Sequence, residues 1–162
     1  MYGPTVIGAP RSQRRPAFES DQQVPYTIDL QSFELNEPTD AMVRHAVQGM
    51  FSNLPEEVQG DVRRVAMELI RNTQPLWRPQ AGVVRPNSPA VILTLGWATD
   101  ERNREWVKYP LIMVSDGNAA MPDVRDLTRT WLGLVIELTH RCGAFHTKSG
   151  KRYWALVSPD AR

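Results

Sequence analysis

The sequence predicts an α+β domain in which three main helices pack on a small antiparallel sheet, with an extended N-terminal arm. Apolar residues repeat with helical spacing in three segments and alternate with polar residues in others. The segments follow one another without the regular strand–helix alternation of a parallel sheet. The first 25 residues contain four prolines and two glycines but no apolar period. A segment of this composition cannot form a helix or bury enough surface to order itself, so we expect neighbouring subunits to hold it.

The first elements of the domain are a strand and a helix. Apolar and polar residues alternate over 26–35, with a change of phase near Gln31–Ser32, which predicts a half-buried strand with a break or bulge. Thr39 or Asp40 can cap a helix that continues to about Ser52, because both side chains accept hydrogen bonds from free backbone N–H groups.

A second helix is predicted to begin at Asn53–Glu57, where a proline near the first turn and two acids suit a helix N-terminus. Its apolar residues have helical spacing: Val58, Val62, Val65, Leu69 and Ile70. The following stretch, 74–89, contains four prolines and is predicted to be an extended connector.

Two strands are predicted next, over 90–98 and 107–115, with the polar sequence TDERNRE between them as a hairpin loop. Pro110 cannot donate a hydrogen bond, which places the second of these strands at an edge of the sheet. A third helix is predicted from Pro122 to about Cys142, ended by Gly143. A last hairpin has strands at 144–147 and 152–158 and a turn at 148–150.

At 162 residues the chain has the size of one ordinary domain. We expect a basic arm over 1–25, the domain over 26–158 and a short tail over 159–162. No apolar run is long enough to span a bilayer, and the N-terminal arginines follow the short apolar stretch instead of preceding it. A single cysteine suits a reducing compartment. We therefore expect a cytoplasmic or virion protein that has no signal peptide and does not enter a membrane.

The net charge of +1 hides a segregated pattern. Residues 1–18 carry +3, residues 19–40 carry −6, residues 41–140 cancel, and residues 141–162 carry +4. Two basic ends around a neutral body are typical of a chain that binds partners through its termini, although terminal charges are also often only solvated.

One cluster could carry metal or thiol chemistry: Glu137, His140, Cys142 and His146. Glu137 and His140 are three residues apart on the predicted helix, so both could reach one ion. Cys142 would lie across that helix from His140, however, and a thiolate is disfavoured at a helix C-terminus. Buried or helix-terminal side chains without a metal are the favoured interpretation, and we expect no metal, no cofactor and no catalytic residue.

Basic residues mixed with aromatic ones are a stronger signal, because cations neutralise phosphates while aromatic rings stack on unpaired bases. The two predicted hairpins have this composition at 102–109 and 148–154. The alternative is that the tryptophans belong to the core or to an interface. The predicted nucleic-acid contacts, including three arginines of the arm, are Arg11, Arg14, Arg15, Lys148, Lys151, Arg152 and Trp154.

Taken together, these features predict a self-assembling structural protein, by analogy a viral coat or nucleocapsid subunit, which is a homo-oligomer and contacts single-stranded RNA. It is not expected to be an enzyme. Two alternatives remain open at this stage: a small metal-assisted enzyme that uses Glu137, His140, Cys142 and His146, and a non-catalytic adaptor that binds another protein.

Overall fold

The computed structural model describes residues 19–28, 37–71, 91–116, 132–148 and 150–159. These residues form one antiparallel sheet with the strand order β1-β2-β3-β5-β4, together with three helices. In chain order the elements are β1 (Glu19–Ile28), α1 (Glu37–Met50), α2 (Glu56–Arg71), β2 (Val91–Arg102), β3 (Glu105–Asp116), α3 (Leu132–Leu138), β4 (Thr139–Thr147) and β5 (Gly150–Val157).

The predicted balance between helices and sheet is wrong. In the described ranges the strands dominate, and α3 has only seven residues, so the fold is roughly α+β with the sheet as its main element. The extended arm is also wrong over residues 19–25, because they belong to β1 and pair with β2. Four predicted features lie outside the described residues: residues 1–18 of that arm, the connector over 74–89, the break near 31–32 and the last three residues of the tail. The division into arm, domain and tail otherwise stays a prediction.

The first two predicted helices are confirmed with small shifts of their ends. In α2, acidic Glu56 and Glu57 occupy the first turn and basic Arg71 the last, which suits the helix dipole at both ends. The predicted apolar face of α2 is buried along its whole length. No helix in the described parts of the chain is both long and apolar enough to span a membrane.

The main core lies between these helices and one face of the sheet. Side chains of β2 at odd positions and of β3 at even positions point toward α1 and α2, as the two-residue period of a strand requires. At one end of this layer, the ring of Phe51 meets the ring of Trp97 edge to face, with centroids 5.1 Å apart. Such pairs add roughly 0.5–1.5 kcal/mol to the stabilisation that burial of the rings provides.

The β2–β3 hairpin is longer than the sequence predicted, and its turn is shorter. The ladder runs without interruption from Ile92 opposite Ser115 to Arg102 opposite Glu105, so the predicted seven-residue loop is mostly strand. Only Asn103 and Arg104 form the turn, with φ of 52° and 67°. Positive φ at both central residues is the property of the type I′ turn that joins twisted strands.

The prediction that Pro110 places its strand at an edge is wrong, because β3 lies between β2 and β5. Pro110 pairs with Trp97 on the β2 side, whereas the ladder with β5 begins only at Leu111. The proline therefore lies where β3 has one neighbour, and there a missing N–H group is tolerated.

The predicted third helix is also wrong at its C-terminal end. The structure changes from α3 to β4 at Thr139, so that His140 and Cys142 lie in a strand. The Thr139 hydroxyl donates a hydrogen bond of 2.6 Å to the Val135 carbonyl at this junction. Pairing of β4 with β5 thus overrides the apolar period that favoured a longer helix. The start predicted at Pro122 lies outside the described residues.

The second face of the sheet is apolar as well. It carries a separate buried cluster made of Ala98, Tyr109, Leu111, Met113, Phe145, Trp154 and Leu156. Gly143 of β4 lies directly against this cluster, because a Cβ atom at that position would stand 2.9 Å from Nε1 of Trp154. Because Gly143 has no side chain, the indole ring of Trp154 can lie against β4 at this position.

We expect Gly143→Ala to lower the free energy of unfolding by roughly 1–3 kcal/mol, since the buried indole has no room to move away from the added methyl group. Urea denaturation measures this loss. Gly60→Ala is the matched control, because a Cβ atom there meets nothing within 4 Å. In the middle of α2 it should raise the free energy of unfolding by about 1 kcal/mol. Equal stability of Gly143→Ala and the unmodified protein would contradict the packing described.

Candidate functional site

The end of the β2–β3 hairpin extends beyond the rest of the sheet. In the described residues β1 pairs with β2 only as far as Thr99, and β5 pairs with β3 only from Leu111. Within the described part of the chain, residues 100–107 pair only with each other, as a two-stranded ribbon that we call the hairpin tip. An isolated ribbon of this kind needs support from side chains at its base.

Trp106 lies on the hairpin tip with 69% of its surface exposed. Large apolar side chains are seldom so exposed, and in the described residues the next one is Ile92 at 38%. Trp106 is directly opposite Glu101, and Lys108 follows two residues later on the same face. The Lys108 ammonium lies 5.3 Å from the ring centroid of Trp97, within the range of a cation–π contact.

The charges of the tip sum to −1, and the adjoining Lys108 balances them. Residues 100–108 contain three acidic and three basic side chains: Asp100, Glu101, Glu105, Arg102, Arg104 and Lys108. A surface that binds phosphates should carry a net positive charge, which the tip lacks, and tryptophan is among the residues enriched in protein–protein interfaces.

A buried carboxylate supports the base of the tip from the other face of the sheet. Oδ2 of Asp100 lies 3.1 Å from Nε2 of His140 and accepts a hydrogen bond of 3.1 Å from Arg141. The His140 ring stacks parallel on the Tyr109 ring with centroids 4.5 Å apart. These contacts join β2 and β3 to β4 across β5, so they fix the direction in which the tip leaves the sheet.

The four candidates for a metal or thiol site do not come together. Glu137 and His146 are exposed, Cys142 points into the core under the helices, and His140 contacts Asp100 on the opposite face. Within the described ranges, no three His, Cys, Asp or Glu side chains are placed to hold one ion.

Burial raises the pKa of the Cys142 thiol to about 11, and a hydrogen bond with Thr139 lowers it only in part. The thiol is therefore protonated at neutral pH, which makes it a poor nucleophile. The sequence placed Cys142 at a helix C-terminus, whereas the structure places it in β4.

The residues predicted to contact nucleic acid differ in how far they are buried. Lys148 is exposed, but Lys151 is fully buried and Trp154 is 2% exposed. Trp154 packs in the second-face cluster with the Arg141 guanidinium 5.5 Å from its ring, so it cannot stack on a base. Arg152 is half-buried and donates a hydrogen bond of 2.8 Å to the Ser115 hydroxyl.

The predicted contacts Arg11, Arg14 and Arg15 lie outside the described residues. Of the seven predicted positions, Lys148 is thus the one that the described structure shows to be exposed. The sequence offered no signal for the contact between Asp100 and His140, which are forty residues apart. It also could not distinguish the exposed Trp106 from the buried Trp154, because both have basic and aromatic neighbours.

The chain was compared with known proteins. No protein-family model matches it, and no curated protein or solved structure is significantly similar to it.

The Cys142 pKa predicts a pH dependence of stability. The unfolded thiol releases its proton near pH 9.0 and the folded one near 11. Because the folded state binds the proton more tightly, the contribution is fully present below pH 9 and is lost as the pH rises to 11. We expect the unmodified protein to lose roughly 2 kcal/mol more than Cys142→Ala over this range in urea titrations. Parallel losses in both proteins would contradict the burial of the thiol.

Proposed function

We propose that this chain is a self-assembling structural protein whose copies contact one another through the hairpin tip and whose basic segments contact single-stranded RNA. The observation that carries the proposal is the exposure of Trp106 on a ribbon that the rest of the fold holds in place. Tryptophan is among the residues that most often dominate the binding energy of protein interfaces. An exposed side chain of this kind supports a contact with a protein.

The charge distribution supports a role for RNA that is separate from the tip. The first 18 residues carry +3 and the last 22 carry +4, while the tip carries −1. Basic segments bind phosphates without regard to sequence, as a protein that packages RNA requires. The comparison with a viral coat or nucleocapsid subunit is an analogy of organisation: one domain, basic ends and a protruding contact.

A protein-binding adaptor is the second candidate, because Trp106 would serve it equally well. The two differ in what the purified chain does alone. A coat subunit associates with itself, whereas an adaptor stays at the 18.4 kDa of one chain until its partner is added.

We expect light scattering of the purified protein to give a mass that rises above one chain with concentration. Trp106→Ala should weaken this association roughly 30-fold, because interface hot spots contribute about 2 kcal/mol or more. Since Trp106 is mostly exposed, its replacement should leave the melting temperature unchanged. Ile92→Ala, at the other exposed large apolar position described, is the control and should associate normally. A protein that remains a single chain at high concentration would exclude self-assembly and leave the adaptor.

For the unmodified protein, we expect the logarithm of the association constant for single-stranded RNA to fall linearly with the logarithm of the salt concentration. Joint replacement of Arg11, Arg14, Arg15 and Lys148 by alanine should reduce that slope by about 3, or roughly 0.7 for each lost contact with a single strand. Filter binding at several salt concentrations measures it. The control is the joint replacement of Arg64 and Arg71, two exposed arginines of α2, which should leave the slope unchanged. Equal slopes for all three proteins would remove RNA from the proposal.

A further inference from the structure

The hairpin tip has an outer edge, which is the side of residues 105–107 that faces away from β2. In the described part of the chain this edge meets no strand, because the ladder between β3 and β5 begins only at Leu111. Glu105 and Trp106 on it are exposed. The edge of a strand offers backbone N–H and C=O groups to another strand, and proteins often join two chains in this way.

The pairing of this edge with the same edge of a second copy is limited to a few registers. Two identical strands that pair antiparallel are related by a two-fold axis perpendicular to the sheet. Opposite side chains must lie on the same face of the sheet, and side chains alternate between the faces. The axis must therefore pass through a residue, which then lies opposite itself.

The charges of the strand exclude three of the four registers centred on residues 105–108. An axis at Glu105 sets two carboxylates opposite each other, and an axis at Lys108 sets two ammonium groups opposite each other. An axis at Trp106 sets Arg104 opposite Lys108 of the second copy. Like charges directly opposite each other on paired strands are destabilising.

An axis at Val107 sets no like charges opposite each other. It sets Trp106 of each copy opposite Lys108 of the other, and an ammonium group near an indole ring is a favourable contact. The Lys108 ammonium already lies on the face of the sheet that carries Trp106, 5.3 Å from the ring centroid of Trp97 in its own chain. The indole of the second copy would approach the same lysine from the outer edge.

The other side of the ribbon does not suit such a pairing. Beyond its last pair with β1, strand β2 continues with three charged residues in succession: Asp100, Glu101 and Arg102. An axis at any of them sets like charges opposite each other. The charge pattern therefore favours the edge of β3.

We propose that two copies of this chain join through residues 105–109 of β3, paired antiparallel around a two-fold axis at Val107. This inference rests on the proposed self-assembly and names the surface and the symmetry of one contact. The partner is a second copy because in this one register the edge is complementary to itself in charge and in the placement of indole and ammonium. A two-fold contact closes on itself and gives a dimer, so growth beyond a dimer requires another surface.

Val107→Lys and Val107→Glu test the axis, because only a residue on the axis lies opposite itself. Each variant alone sets like charges opposite each other and should associate at least roughly tenfold more weakly than the unmodified protein. An equimolar mixture sets a carboxylate opposite an ammonium group, so it should recover association to within roughly fivefold of the unmodified protein. Light scattering measures association, and circular dichroism shows whether each variant folds.

The matched controls are Ile92→Lys and Ile92→Glu. Ile92 is exposed and lies on the same face of the sheet as Val107, near the opposite end of the β2–β3 hairpin. Both control variants should associate like the unmodified protein, alone and mixed.

Val107→Cys tests the same axis with a milder substitution. Residues opposite each other on antiparallel strands have Cα atoms about 4.5–5.5 Å apart, which a disulfide can span. Oxidised glutathione should therefore link this variant into a dimer that a reducing agent separates on electrophoresis. Ile92→Cys and the unmodified protein, whose Cys142 is buried, should stay single chains.

Normal association of the folded Val107→Lys and Val107→Glu variants, or a mixture that does not recover, would overturn the two-fold contact while leaving self-assembly through the tip intact. If a charged variant does not fold, the cysteine variant decides, and a failure to form the crosslinked dimer overturns the contact. An unmodified protein that never associates would overturn the proposed function and this inference together.

Discussion

The unbroken register of the β2–β3 ladder is the constraint on which the rest of the structure depends. Because side chains alternate along a strand, this one register sends Leu93 and Ile112 into the helix-covered core and Tyr109 into the second cluster. It also places Trp106 outside both. A shift of one residue would exchange the two faces and turn Asp100 away from His140 and Arg141. The positive φ angles of Asn103 and Arg104 hold the turn that fixes this register.

The sequence predicted correctly those elements whose formation depends on interactions between residues close together in the chain. The apolar period of α2 and the acids at its N-terminus were sufficient to predict this helix, because the spacing of apolar residues in an amphipathic helix shows which face is buried. The β2–β3 turn was missed since the residue after Asn103 is arginine where glycine usually marks a type I′ turn. The third helix was extended too far because the choice between helix and strand after Leu138 depends on pairing with β5, which spacing along the chain does not record.

The site shows the same division between local and tertiary information. Trp106 and Trp154 have similar neighbours in sequence, yet one is exposed and the other lies against Gly143 in a buried cluster. The sequence predicts that Lys151 lies on the surface, but the structure buries it beside the ring of Tyr153, with its ammonium 5.8 Å from the ring centroid. What sequence did supply was the segregation of charge, which does not depend on the fold. The tip carries −1 and both ends are basic, so the protein contact and the RNA contact that we propose fall on different segments of the chain.

Hydrogen–deuterium exchange of the unmodified protein at low and high concentration tests the central claim most directly, because it locates a contact without altering a residue. The account predicts that protection rises with concentration in residues 100–107 of the hairpin tip. A mass that increases while protection rises only elsewhere, or nowhere, would contradict it.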